Sequence, residues 1–216
     1  MREGDAMVEE NRKSGTEGVE VRGLHRDELP EAVAVLARGM RDNPLHVAAY
    51  GEDPHRRWLS HGRLVAGLFS LSPDLEFLCA ARGGAILAVT AIAPPGTCRM
   101  SPGRRLRMLP HLSRLGPAAA LRVLSWAAAW GARDPDEPHV HLGPLAVDAD
   151  LQGRGIGSLL MREHCARLDQ DGTTGYLETD KGVNVRFYER FGYEVTEEAP
   201  VLGVPNWFMA RRPGAR

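Results

Sequence analysis

The chain reads as a single α/β domain, and three observations support that expectation. Its 216 residues suit one globular unit with a full core. Short apolar runs of strand character alternate with segments of helical period along most of its length. No internal repeat or interdomain linker interrupts that alternation. Hydrophobic residues at 43% and charged residues at 25% give the balance of an ordinary soluble protein, and a net charge of −1 offers no nucleic-acid-binding surface. No apolar run reaches the ~18 residues a membrane span needs, and no signal-peptide core follows Met1. A cytoplasmic protein with no nucleic-acid or membrane partner is therefore expected. Cys79, Cys98 and Cys165 are odd in number, widely spaced and lack a CxxC, which argues against a disulfide framework or a cysteine zinc site.

The elements can be taken in order. Residues 1–18 are polar without periodicity and read as a disordered leader, leaving 19–213 as the folded domain. The alternating run at 19–24 predicts a first strand. Asp27 is placed to cap a helix ending near 43–44, with Leu29, Val33, Leu36 and Met40 on its apolar face. A second helix is expected over 56–71, from the spacing of Trp58, Leu64, Val65, Leu68 and Phe69. Strands at 76–83 and 85–94 meet at Gly83-Gly84, a hairpin signal. Residues 97–138 form a helical insertion over one face of the sheet: a basic stretch broken by Pro110, then AAALRVLSWAAAW, then the turn-rich ARDPDEP.

Chemistry concentrates in 139–193. HVHLGPLAV is a strand with a flaw, because Pro144 cannot donate to a ladder and Gly143-Pro144 predicts a bulge or a splayed neighbour. The next segment, QGRGIGSLLMREHCARL, puts Gly153, Gly155 and Gly157 at the mouth of an amphipathic helix. Glycines there let backbone N–H groups converge on one anion, and the positive helix end adds to the attraction. A Walker A loop would need Lys-Ser/Thr after its last glycine, whereas Gly157 is followed by Ser158-Leu159. A dinucleotide fingerprint would use Gly153 and Gly155 with Glu178 downstream, but too little chain remains beyond Asp180 to build the rest of such a sheet.

LAVDADLQGRGIGSLLM resembles motif A of the GCN5-related N-acetyltransferases, a Gln/Arg-x-x-Gly-x-Gly/Ala signature met by Gln152, Gly155 and Gly157. YLETDKGVNVRFYERFGYEV resembles the family's motif B, with Asn184 and Tyr188 four apart on one helix face and Gly192 as an αL cap. Within the family the likeness runs to puromycin-acetylating, antibiotic-resistance members, through the LET strand, the FYER segment and the tryptophan-containing final strand. The resemblance implies a mixed sheet of six to seven strands flanked by helices, whose parallel motif A and motif B strands splay apart at the acetyl-CoA site. It implies that the backbone of Leu145, Ala146 and Val147 binds pantetheine. Gln152, Gly153, Arg154, Gly155, Ile156, Gly157 and Ser158 form the pyrophosphate turn, and Asn184 and Tyr188 also meet the cofactor. Tyr188 matches the family's general acid.

The base stays open between two candidates. His141, with His139 on the same strand face, resembles the histidine pair of arylalkylamine N-acetyltransferases; Glu178 lies beside the splay. His139-x-His141 suggests a metal pair, but no third ligand stands at useful spacing, so no metal is expected; acetyl-CoA as co-substrate is what the resemblance implies. None of the cysteines lies at the strand break, which argues against an acetyl-cysteine intermediate. The insertion is expected to cover the pocket of a small-molecule amine. Acetylation of a peptide or protein, and a non-catalytic acyl-CoA sensor, are the rival readings. The resemblance leaves a homodimer open.

Overall fold

A computed structural model describes residues 15–215. Seven strands form one sheet in the order β1-β2-β3-β4-β5-β7-β6: β1 (Glu20–Gly23), β2 (Glu76–Arg82), β3 (Ala85–Ala93), β4 (Val140–Val147), β5 (Gly175–Thr179), β6 (Glu194–Val201) and β7 (Val204–Arg211). Only β4 and β5 run parallel; every other neighbouring pair is antiparallel. The helices are α1 (Leu29–Gly39), α2 (Pro44–Tyr50), α3 (Pro54–Leu71), α4 (Pro102–Ser113), α5 (Pro117–Gly131), α6 (Ile156–Asp171) and α7 (Gly182–Glu189). The expected mixed sheet of six to seven strands is present with seven.

Five helices carry proline in their first turn, where a missing N–H costs nothing. Asp53 caps α3 by accepting from the His55 and Arg56 amides at 2.9 and 3.3 Å. Hairpins turn where the backbone takes positive φ: Gly83 and Gly84 at +58° and +85°, Leu202 and Gly203 at +51° and +79°. Gly192, at +80°, holds the expected left-handed position after α7.

Two layers cover the sheet. On one face α6 contributes Ile156, Leu160, Met161 and Cys165 and α7 contributes Tyr188, packed on Leu78, Leu142, Leu177 and Met209. On the other face α1 and α3 bury Val35, Leu36, Val65 and Phe69 against Val89 and Ala146. The insertion extends this second layer: α4 and α5 pack on α2 through Leu112, Ala119, Val123, Ala49 and Tyr50. Trp130 anchors α5 to the sheet by donating to Asn206 Oδ1 at 3.1 Å.

Four expectations need correction or bounding. Residues 1–14 of the expected leader lie outside the described residues, whereas 15–16 are helical, 17–18 form a turn, and Gly15 is buried. The cap of α1 falls at Glu28, after a 3₁₀ turn at Arg26–Glu28. The single helix expected to end near 43–44 is two. α1 stops at Gly39, where any Cβ would strike the Val147 carbonyl oxygen, and Pro44 opens α2 on a new axis. Pro110 does not break α4, since it lies in the last turn and forfeits only its own N–H bond.

Candidate active site

The cleft begins where β4 and β5 stop pairing. These strands match only at Val140 with Gly175 and His141 with Tyr176. Beyond that point β4 continues beside β3 alone, and β5 continues against β7. The register on β3 shifts at the same place: Leu142 faces Ile92 and Leu145 faces Thr90, so Gly143 and Pro144 together oppose Ala91. This is the bulge the Gly-Pro pair predicts. It leaves Leu145, Ala146 and Val147 along an edge that β5 has vacated.

A cavity of about 480 Å³ occupies the side where the cofactor is expected, and every expected cofactor residue except Arg154 lines it. Gly153 and Gly155 adopt φ of +79° and +84°, and Gly155 caps α6, so the turn aims the helix's first amides into the cavity. The Ser158 amide is already used, donating to Gly155 O at 3.0 Å. Gln152 works as a tie: its Nε2 donates to Gly39 O at 3.0 Å and Val147 O at 3.2 Å, joining the end of α1 to the end of β4. Arg154 donates instead to Asp150 O at 3.2 Å. The cations on the wall are Lys181, Arg186 and Arg190, which sequence reasoning missed because charges on a helix look like a solvated face.

A second cavity, of about 350 Å³, lies on the other side of the strand break, where the acceptor is expected. Its apolar walls come from Leu64, Leu68 and Phe69 of α3, Met100, and Trp126 and Trp130 of α5; His141, Glu178 and Asp180 supply polar groups. Asp180 is buried, accepting from the Leu45 amide at 2.7 Å and the Asn43 amide group at 3.3 Å. His46 and His61, buried with their Nε2 atoms 3.4 Å apart, also line this cavity, and burial depresses both pKa values. Leu145, Asn184 and Tyr188 border both cavities, so the two meet at the splay. Asn184 Nδ2 donates to Thr179 Oγ1 at 3.2 Å. Tyr188 is buried, which raises its pKa and keeps the hydroxyl protonated.

The two base candidates are in contact. His141 Nε2 lies 2.9 Å from Glu178 Oε2, with the Glu178 side chain 3% exposed. His141 Nδ1 faces Asp134 Oδ1 at 3.5 Å. Burial alone would lower the His141 pKa, but Glu178, Asp134 and Cys98 outweigh it and hold it well above 6.5. His139 shares that face, as alternation predicts, with Nε2 3.2 Å from the same Asp134 oxygen and Nδ1 2.8 Å from Glu137 O. Cys98 Sγ is 3.6 Å from His139 Nε2. Burial would raise the Cys98 pKa, yet hydrogen bonds from His139 and His141 bring it to about 7. The histidine pair thus has neighbours that spacing did not reveal, one at each end of the insertion. Cys98 also lines the acceptor cavity, closer to the chemistry than its distance from the strand break suggested.

A splayed parallel pair, a glycine-turned helix N-terminus on one side and a walled pocket with a carboxylate–histidine pair on the other describe an acyl-CoA-dependent acyltransferase. The model of the acetyltransferase (GNAT) family matches residues 44–193, and the chain belongs to that family, as an N-acetyltransferase. Solved structures agree on the fold. The histone acetyltransferase HPA2 and related acetyltransferase from Corynebacterium glutamicum superposes with a TM-score of 0.65 at 21% identity, over 92% of this chain and 98% of that one. The polyamine N-acetyltransferase of Drosophila melanogaster gives 0.57 at 17% identity, over 90% and 99%. A GNAT acetyltransferase from Brucella melitensis, solved with acetyl-CoA, gives 0.53 at 19% identity, over 91% and 88%. No helix among the described residues is long and apolar enough to cross a membrane.

Proposed function

We propose that this enzyme transfers the acetyl group of acetyl-CoA to the primary amine of a small, largely apolar molecule, by direct attack in a ternary complex. The observation that carries the reading is the junction at Asn184 and Tyr188, which border both cavities. A thioester on one side and an amine on the other then meet beside one buried phenol. The acetyl-CoA held by the Brucella relative and the polyamine acceptor of the Drosophila enzyme support the two ligand classes. The tryptophan, leucine and phenylalanine walls favour an apolar acceptor, and the insertion that forms part of them favours a small one.

On this reading the open edge of β4 pairs with the pantetheine arm through Leu145, Ala146 and Val147, and the Val147 amide or a neighbour polarises the thioester carbonyl. The turn amides from Gly153 to Gly157 hold the pyrophosphate, with Lys181, Arg186 and Arg190 adding charge. His141 turns Nε2 to Glu178 and Nδ1 to Asp134, so the ring orients Glu178 and leaves the proton transfer to that carboxylate. Glu178 then receives the proton as the amine nitrogen bonds to the acetyl carbon. The tetrahedral oxyanion collapses, the C–S bond breaks, and Tyr188 protonates the departing CoA thiolate. The products are the N-acetyl amine and CoA.

Release of free CoA thiol, followed across a panel of primary amines, tests the proposal. Arylalkylamines and other apolar amines are expected to turn over faster than polyamines, aminoglycosides and short peptides. Faster turnover of peptide N-termini would replace the small-molecule reading. Intersecting double-reciprocal plots are expected for a ternary complex; parallel plots would point to an acetyl-Cys98 intermediate.

A further inference from the structure

We infer that Cys98, Asp134, His139 and His141 form a four-coordinate site for a divalent transition-metal ion, with zinc the best fit. Their ligand atoms all lie within 4.8 Å of one another. A tetrahedral zinc with bonds of about 2.1 Å to nitrogen and oxygen and about 2.3 Å to sulfur sets N···S edges near ~3.6 Å and N···O edges near ~3.4 Å. The separations here are 3.6 Å for Cys98 Sγ to His139 Nε2, 3.2 Å for His139 Nε2 to Asp134 Oδ1 and 3.5 Å for His141 Nδ1 to that oxygen. Three of the six edges thus match those of a tetrahedral ion, and the other three lie within 4.8 Å.

A second observation concerns the other ring nitrogens. Each imidazole turns one nitrogen to the cluster and gives the other to an outer acceptor: His139 Nδ1 to Glu137 O at 2.8 Å, His141 Nε2 to Glu178 Oε2 at 2.9 Å. Metal-bound histidines are held in this way, by a backbone carbonyl or a carboxylate that sets the tautomer. The cluster is also sheltered, with the Asp134 and His139 side chains 8% and 6% exposed. A thiolate, a carboxylate and two neutral imidazoles cancel the charge of a dication, which suits a site largely withdrawn from water. One sulfur and two nitrogen donors favour zinc over magnesium or calcium, which take oxygen ligands.

Four protein ligands close the coordination sphere, so the role is structural. Cys98 follows β3, Asp134 follows α5, His139 immediately precedes β4 and His141 lies within it. The ion would therefore clamp both ends of the helical insertion to the strand that opens the cleft. It would also hold His141 with its Nε2–H toward Glu178, the orientation proposed above, although the site stands whether or not that mechanism does. Sequence spacing alone pointed to a metal-free enzyme, because Cys98 lies 41 residues before His139 and Asp134 sits in a turn-rich stretch that gave no ligand signal.

The test uses the full chain, freed of any histidine tag, dialysed with Zn²⁺ and then against metal-free buffer. Elemental analysis is expected to find one zinc per chain in the wild type and none retained in His139→Ala. Substitution with Co²⁺ should give the strong visible bands of tetrahedral cobalt and a thiolate-to-cobalt charge-transfer band that Cys98→Ser removes. Should a variant misfold, the wild type alone decides the matter. Cys98 is its one partly exposed cysteine among the described residues, so zinc should suppress the labelling of one thiol by an aromatic disulfide, and a chelator should restore it. Substoichiometric zinc with unchanged thiol labelling, or a weak octahedral cobalt spectrum, would overturn the inference.

Discussion

The two sides of the cleft are made from different materials. The cofactor side draws mainly on one continuous stretch, β4 through the start of α6, completed by α7 and by Gly39, Met40 and Asn43. The acceptor side is side chains from α3, α5, β4, β5 and the segment after β3, brought together only by the fold. A ligand read by amides needs a bulge, two left-handed glycines and a helix end, and these leave local marks in sequence. A ligand read by side-chain shape can be met by many combinations of distant residues. The difference explains why one side identifies the family, whereas the acceptor proposed for the other side left no motif.

Tyr188 and Glu178 probe whether chemistry can be separated from binding on either side. Tyr188→Phe is expected to lower kcat by about 10²–10⁴-fold, the range for losing a general acid, with the KM for acetyl-CoA little changed. Steady-state rates with the best amine measure this, and an unaltered kcat would remove Tyr188 from the mechanism. Glu178→Gln keeps the shape while removing the charge that His141 faces at 2.9 Å. A loss of about 10²-fold in kcat is expected, again with the acetyl-CoA KM intact. If the acetyl-CoA KM rose instead, Glu178 would belong to the cofactor side and the division drawn above would fail.

A smaller effect sharpens the acceptor side. Trp126 meets Trp130 at 5.1 Å and His46 at 5.2 Å between ring centroids, so Trp126→Leu removes an aromatic wall while keeping the site apolar. An aromatic contact worth about 1–1.5 kcal/mol corresponds to a rise of roughly tenfold in the acceptor KM. Apolar amines should suffer and acetyl-CoA should not. Equal losses for polyamines and apolar amines would mean the tryptophan supports the fold and does not select the acceptor.

The same division governs what the sequence could disclose. Gly83-Gly84, Gly143-Pro144 and Gly192 each announced a backbone event that the structure contains, because glycine and proline act within their own peptide units. The break between α1 and α2 was not legible from periodicity, since α1 ends where Gly39 meets the Val147 carbonyl, a contact between distant residues. Gln152 was found by motif, but its tie to Gly39 and Val147 became visible only in the fold. Cys98 and Asp134 carried no signal: one lay in a polar connection 41 residues before His139, the other in a turn whose direction only the fold reveals.

The smallest expected effect separates the cations that line the cofactor cavity from the one the motif suggested. Lys181 borders that cavity, whereas Arg154 is engaged by the Asp150 carbonyl at 3.2 Å. A partly solvated charge near a phosphate contributes up to about 1 kcal/mol at low ionic strength, hence roughly a fivefold change in affinity. Lys181→Ala should weaken acetyl-CoA binding by that factor in calorimetry, and raising the salt should erase the difference, because screening already weakens the wild-type contact. Arg154→Ala should leave affinity where it was, its guanidinium having been occupied elsewhere. The reverse result would return the phosphate contact to the glycine turn's own arginine and leave α7 to line the cavity through Asn184, Phe187 and Tyr188 without supplying charge.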